Sequence, residues 1–381
     1  MNLHMIKFLF ITGYVKFFFM SIIIFFTMDI IFSNSIIKSM IKKDCFKYMR
    51  YTINNQNYYS YELEKNCKAY ETKRTVKTYN VYTDENGYRV GSTKNINKVN
   101  KENTIAFLGD SFTYGLGVNY EDSIVGILEK KEINYNTLNL AVPGYSPVIS
   151  KVKLEQLIKK GVRPKKIFYI MDITDVHDES NRWIKKEGLE YPVIIGKEVG
   201  EEIEKVFNYK KHFKMTRIAI YNLNKIMRNL RKEINKKNFT EEDKVIGKTH
   251  LGSFTHTPYD KLDKDFWSHN DYKKGTVSIK NNVKLISDEA NKINSDFYIV
   301  IYPWPETLEY GEEYFSWQNF ALELCEFSKC KKLINAFPEF EKIKKQFTHW
   351  KKEIYFLNDI HFNVKGNRIL ADIIYHEALK H

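Results

Sequence analysis

Ser111 stands in "IAFLGDSFTYGLGV", Ile105 to Val118, where a short apolar run stops at Gly109 and an acid and a hydroxyl follow at once. A serine at such a turn can present its hydroxyl and its backbone N–H into the same crevice. Serine alone is a weak nucleophile, so the arrangement calls for a base. "FLNDIHFNVKGNRILAD" supplies one: Asp359 and His361 are two positions apart, which puts both side chains on one side of an extended segment. An aspartate that fixes the tautomer of a histidine facing serine, and later stabilises its imidazolium, is the logic of the serine triad. Asp-x-His alone equally fits a solvated loop; paired with a strand-terminal Gly-Asp-Ser it acquires chemical sense. Gly144, in "VPGYS", is a third point of interest. Its lack of a side chain permits close backbone approach to a developing oxyanion, although a plain turn after Pro143 would also use glycine.

Such groups need a scaffold. From Thr104 onward short apolar runs alternate with amphipathic segments. Strands are predicted at Thr104–Gly109, Thr137–Val142, Lys166–Met171, Asp296–Tyr302 and Lys331–Asn335. Helices are predicted near Asp122–Lys131, Pro147–Lys160, Thr276–Asn294, Ser316–Phe327 and Val364–Lys380. This alternation predicts an α/β domain with a mainly parallel sheet covered on both faces, whose sites form at the carboxyl ends of the strands. The domain runs over residues 101–381, with a helical insertion at about 188–274. Within it, the basic stretch Lys214–Ile234 reads as a solvated helix, with a membrane-surface helix as the alternative. Residues 35–100 form a Tyr-rich membrane-proximal arm, in which Glu85-Asn86-Gly87 between alternating stretches predicts a hairpin over Thr78–Gly91.

Three blocks, "FLGDSFTYGLGVNYEDS", "LNLAVPGYSP" and "DIHFNVKGNRILAD", resemble the SGNH (GDSL-type) hydrolase superfamily in their order along the chain. "NGYRVG" and "YPWPETL" resemble members attached to bacterial surface-polysaccharide pathways. The resemblance implies a flavodoxin-like three-layer α/β/α fold. It also implies Ser111 as nucleophile, His361 as base and Asp359 as its partner, with an oxyanion hole built from Ser111, Gly144 and the position of Thr174. Two departures stand out. The family's Gly-x-Asn-Asp loop is here "MDITDVHDES", with Thr174-Asp175 in place of the asparagine and its neighbour. An aspartate aimed at an oxyanion would repel it. The Asp–His spacing is also one residue shorter than the common pattern, a feature of alginate O-acetyltransferase-like members. The implied activity is a serine esterase on O-acyl groups of cell-envelope or exopolysaccharide sugars. The alternatives are a polysaccharide O-acetyltransferase with the same triad, and a catalytically silent glycan-binding protein.

Further residues could touch substrate: His177 near the site, and Trp304, between two prolines, by stacking on a sugar ring; a surface histidine and a structural tryptophan are the bland readings. A metal site from Asp172, Asp175, His177 and Asp178 is disfavoured, and no cofactor is implied. The chain of 381 residues carries a formal charge of +13, but its lysines are dispersed without an Arg-rich block, so no nucleic-acid partner is expected. Met5 to Phe32 is almost wholly apolar, which predicts an N-terminal transmembrane helix within residues 1–34, an uncleaved anchor. Lys38, Lys42, Lys43, Lys47 and Arg50 beyond it favour a cytoplasmic domain. The cysteines Cys45, Cys67, Cys325 and Cys330 favour an oxidising compartment, the last two spaced for a small loop disulfide. The exported topology is the one expected here, with polysaccharide-biosynthesis proteins as possible partners.

Overall fold

A computed structural model describes residues 15–29, 44–71, 78–91, 103–132, 134–194, 252–262, 271–357 and 359–380. The chain divides into two compact units, Met1–Lys42 with Glu201–Thr240, and Lys43–Gly200 with Glu241–His381. In the first unit the described residues are a helix over 15–29. Among the described residues no helix is long and apolar enough to cross a membrane; the rest of the predicted span Met5–Phe32, beyond that helix, lies outside the described residues. The basic stretch Lys214–Ile234 and most of the insertion lie outside them too.

The second unit is built on the strands β1 (Phe46–Ile53), β2 (Gln56–Leu63), β3 (Lys68–Glu71), β4 (Tyr79–Thr83), β5 (Arg89–Val90), β6 (Thr104–Gly109), β7 (Asn136–Asn139), β8 (Lys166–Met171), β9 (Trp183–Ile184), β10 (Val193–Ile194), β11 (Asp296–Ile301) and β12 (Lys332–Asn335). The larger sheet runs β12-β11-β8-β6-β7-β5-β4-β3. From β12 to β7 every pairing is parallel, and every residue of β6 is buried, as expected of strands covered on both faces. Numbered along the chain, the parallel strands stand in the flavodoxin-like order 2-1-3-4-5. Phe107, Phe168 and Tyr298 pair across β6, β8 and β11, and their rings stack at 4.9 and 4.8 Å. The sheet is mixed, not simply parallel: β5, β4 and β3 extend it antiparallel, and the hairpin over Thr78–Gly91 is part of that extension.

Helices Ile124–Lys131 and Val364–Ile374 pack together, and Pro147–Lys159, Asp271–Lys292 and Trp317–Ser328 form a second group, which gives the layers on the two faces. In Asp271–Lys292 the fully buried residues Ile279, Val283, Ile286 and Ala290 recur at helical spacing and form its core stripe. A second sheet, β1-β2-β10-β9, joins residues of the predicted arm to those following β8. Disulfides link Cys45 to Cys67, before β1 and β3, and Cys325 to Cys330, at the end of the Trp317–Ser328 helix. The second follows the spacing of its cysteines; the first joins residues too far apart in sequence for spacing to announce it.

Candidate functional site

β6 and β8 flank the point where the strand order reverses, the place where ligands bind in open α/β sheets. Ser111 follows β6 there. Gly109 has φ +149°, and a Cβ on it would sit 2.3 Å from Thr113 Oγ1 and 2.8 Å from the Ile170 carbonyl oxygen. Only glycine lets the strand close so tightly on β8 and turn into the short helix Ser111–Tyr114. Asp110 caps that helix: its Oδ1 accepts from Phe112 N at 3.0 Å, and its Oδ2 lies 3.0 Å from Ser111 Oγ.

His361 Nε2 lies 2.8 Å from Ser111 Oγ, and its Nδ1 lies 2.6 Å from Asp359 Oδ1. The sequence separation between serine and histidine is 250 positions, so the contact is a product of the fold. The ring rests on Phe112, centroids 4.7 Å apart. Phe362, next in the chain, is buried among Phe112, Phe340, Tyr302 and Tyr355, with centroids 5.0–5.4 Å away. Asn363 then starts the final helix, accepting from Lys365 N and Gly366 N while its amide donates to the carbonyls of Lys352, Glu353 and Tyr355. The histidine loop is therefore held at both ends.

Behind the serine lies a group of buried acids. Asp172, at the end of β8, accepts from Tyr302 Oη, from Trp304 Nε1 at 2.9 Å and from Thr174 N at 2.7 Å. Burial, then the nearby Asp172, pushes the carboxyl of Asp110 well above the usual range. Asp175 is raised by the same two causes.

These contacts correct three expectations. Thr174 offers no free donor, because its N–H and its hydroxyl both bond Asp172 Oδ1. Asp175 turns inward, where it accepts from Tyr169 Oη and Asp172 N, so it is not aimed at an oxyanion. Trp304 is 1% exposed and bonded to Asp172, which leaves no face for a sugar. His177 is half-buried one turn beyond Thr174, its Nδ1 3.5 Å from Asp178 Oδ1.

Gly144 lies beyond β7 with φ +75°. Residues absent from the sequence reading hold it: Trp183 Nε1 donates to its carbonyl at 2.9 Å, and Tyr61 Oη donates to the carbonyl of Pro143 at 2.8 Å. Arg182 Nη2 in turn donates to Tyr61 Oη at 3.0 Å. Tyr61 belongs to β2 and Trp183 to β9, so the second sheet braces this loop.

No protein-family model matches the chain, and no curated protein does. Among solved structures it is similar to TesA, at 11% identity and a TM-score of 0.39, over 72% of this chain and 96% of that one. A member of the lipolytic protein G-D-S-L family from Veillonella parvula matches at 11% identity and a TM-score of 0.38, over 73% of this chain and 99% of that one. The chain is similar to the G-D-S-L lipolytic proteins. A catalytic mutant of an acetylxylan esterase from Geobacillus stearothermophilus matches at 12% identity and a TM-score of 0.37, over 72% of this chain and 94% of that one.

Proposed function

We propose that this protein is a serine ester hydrolase of the SGNH type, acting on O-acyl groups. The observation that carries the reading is the line Ser111 Oγ–His361 Nε2–Asp359, at 2.8 and 2.6 Å, at the carboxyl edge of the sheet. In this reading Ser111 Oγ attacks the ester carbonyl carbon while its proton passes to His361 Nε2. The carbonyl π pair moves onto oxygen, and the N–H groups of Ser111 and Gly144 receive that charge. Collapse breaks the bond to the alkoxy group, which takes the proton from Nε2 and leaves an acyl-serine. Water, deprotonated by the same nitrogen, then releases the acid.

Acyl groups on cell-envelope or exopolysaccharide sugars are the proposed substrates, on the resemblance of "NGYRVG" and "YPWPETL" to members of such pathways. An exported catalytic domain fits both disulfides, since such bonds persist in oxidising compartments. The short Asp-x-His spacing favours one second reading, transfer of the acyl group to a sugar hydroxyl in place of water.

Hydrolysis of p-nitrophenyl acetate by wild type, Ser111→Ala and His361→Ala tests the proposal. Turnover lost in both variants supports a serine acyl-enzyme. A folded wild type that releases no nitrophenol, even with a sugar acceptor added, would sink it in favour of a silent glycan-binding domain.

A further inference from the structure

With Thr174 committed to Asp172, the proposed oxyanion hole is left with the backbone N–H groups of Ser111 and Gly144. Negative charge forming on oxygen in a buried site is stabilised by a nearby cation. Arg182 lies against Gly144, the second of those donors. A Cβ built on Gly144 would lie 2.9 Å from Arg182 Nη2 and 3.0 Å from its Cζ, so the guanidinium rests against the glycine's α-carbon. Nη2 is anchored to Tyr61 Oη, while Nη1 stays 4.0 Å from Asp178 Oδ1, too long for a hydrogen bond. Nε is buried and has no hydrogen-bond partner. Leaving a buried donor unpaired costs about 1–3 kcal/mol, more for a charged group, so spare N–H groups on a braced guanidinium suit an oxygen that arrives with the substrate. Tyr61 and the second sheet hold the group in place, which removes much of the entropic cost of ordering a long side chain.

We propose that Arg182 is a catalytic residue that donates from its guanidinium to the substrate's carbonyl oxygen as it becomes an oxyanion, the task for which the family's asparagine is absent here. The proposal rests on the serine acyl-transfer reading. Arg182 bonds no reacting atom covalently and gives up no proton; it shares a hydrogen bond that strengthens as charge builds on oxygen.

The test compares wild type, Ser111→Ala, Arg182→Ala and Arg182→Lys on p-nitrophenyl acetate, with circular dichroism to establish folding. Removing one oxyanion donor typically costs about 100- to 1,000-fold in kcat, so Arg182→Ala is expected to fall in that range at a KM close to wild type. Millimolar guanidinium chloride is expected to restore part of the loss, which a purely structural role would not allow. Arg182→Lys keeps the charge beside Asp178 but cannot reach Tyr61 and the oxyanion together, and serves if the alanine variant does not fold; its kcat is expected to drop at least tenfold. Ser111-dependent turnover with wild-type kcat in a folded Arg182 variant, or a loss carried by KM alone, overturns this proposal and leaves the serine reading standing. Turnover that survives Ser111→Ala, or a wild type without turnover, overturns both.

Discussion

Asp359 Oδ1 accepts two N–H groups of the same residue, His361: the backbone N–H at 3.1 Å and ring Nδ1 at 2.6 Å. One oxygen thus closes a tight turn and orients the imidazole. A single residue between the two therefore suffices for both contacts. The backbone contact ends the extended segment at once, and the ring swings back over the oxygen that closed the turn.

Asp359→Asn separates the contacts from the charge. The amide oxygen can take the place of Oδ1 and accept both N–H groups, so the fold and the tautomer are expected to persist, with a melting temperature near that of wild type. The amide brings no negative charge, however, to stabilise the imidazolium formed during attack. A loss of more than about tenfold in kcat, about 1.4 kcal/mol of barrier or more, is expected for that change. Esterase kinetics beside a thermal melt check it; a tenfold loss or less would mean the aspartate only shapes the loop.

Phe362 carries the stability side of the same loop. It is buried against Phe112, Phe340, Tyr302 and Tyr355, and Phe112 is also the floor beneath His361. Truncation to alanine is expected to cost about 3–5 kcal/mol, the usual range for a buried phenylalanine. Because the ring also sets where His361 stands, kcat should fall more than KM rises. Urea unfolding with parallel kinetics gives both numbers. Phe362→Leu, which keeps most of the volume, should recover the greater part of each.

The parallel strands were legible because burial on both faces makes each a continuous apolar run. The meeting of Ser111, Asp359 and His361 could be expected because the proposed chemistry imposes residue types and, for the acid and the histidine, a short spacing. Gly144's surroundings were not. Tyr61 and Arg182 act on that loop from 121 positions apart, through a sheet whose strands β9 and β10 are too short to show a period. Trp304 misled for a related reason: a tryptophan between prolines looks the same whether its ring faces sugar or Asp172. The third oxyanion donor, expected at Thr174, failed because Asp172 two positions earlier takes both of its donors.

The disulfides predict a chemical result. Cys45–Cys67 and Cys325–Cys330 leave no free cysteine among the described residues. Titration of unfolded, non-reduced protein with a thiol reagent is expected to find none, and four after reduction. Cross-linking also lowers the entropy of the unfolded chain, more for the longer loop. Reduction is therefore expected to lower the melting temperature chiefly through Cys45–Cys67, and Cys45→Ser should reproduce most of that shift.

The buried carboxyls fix how stability depends on pH. Burial raises Asp175 and Glu179, Asp175 further through Asp172, whereas donors to Glu179 from Ser278, Val148 N, Ser146 and Asn282 only partly offset its burial. In the unfolded chain such groups lose their protons near pH 4. The folded protein holds them to higher pH, so above that point the unfolded state binds fewer protons and stability falls as pH rises. The contribution of these groups is fully present below about pH 4 and is lost as pH climbs through their folded values. Asp175→Asn isolates one of them, since the amide oxygen can still accept from Tyr169 Oη and Asp172 N. Measured by urea unfolding at a series of pH values from 5 to 8, wild type should lose ground to the variant steadily. A difference that stays constant with pH would mean that Asp175 is already ionised in the folded protein.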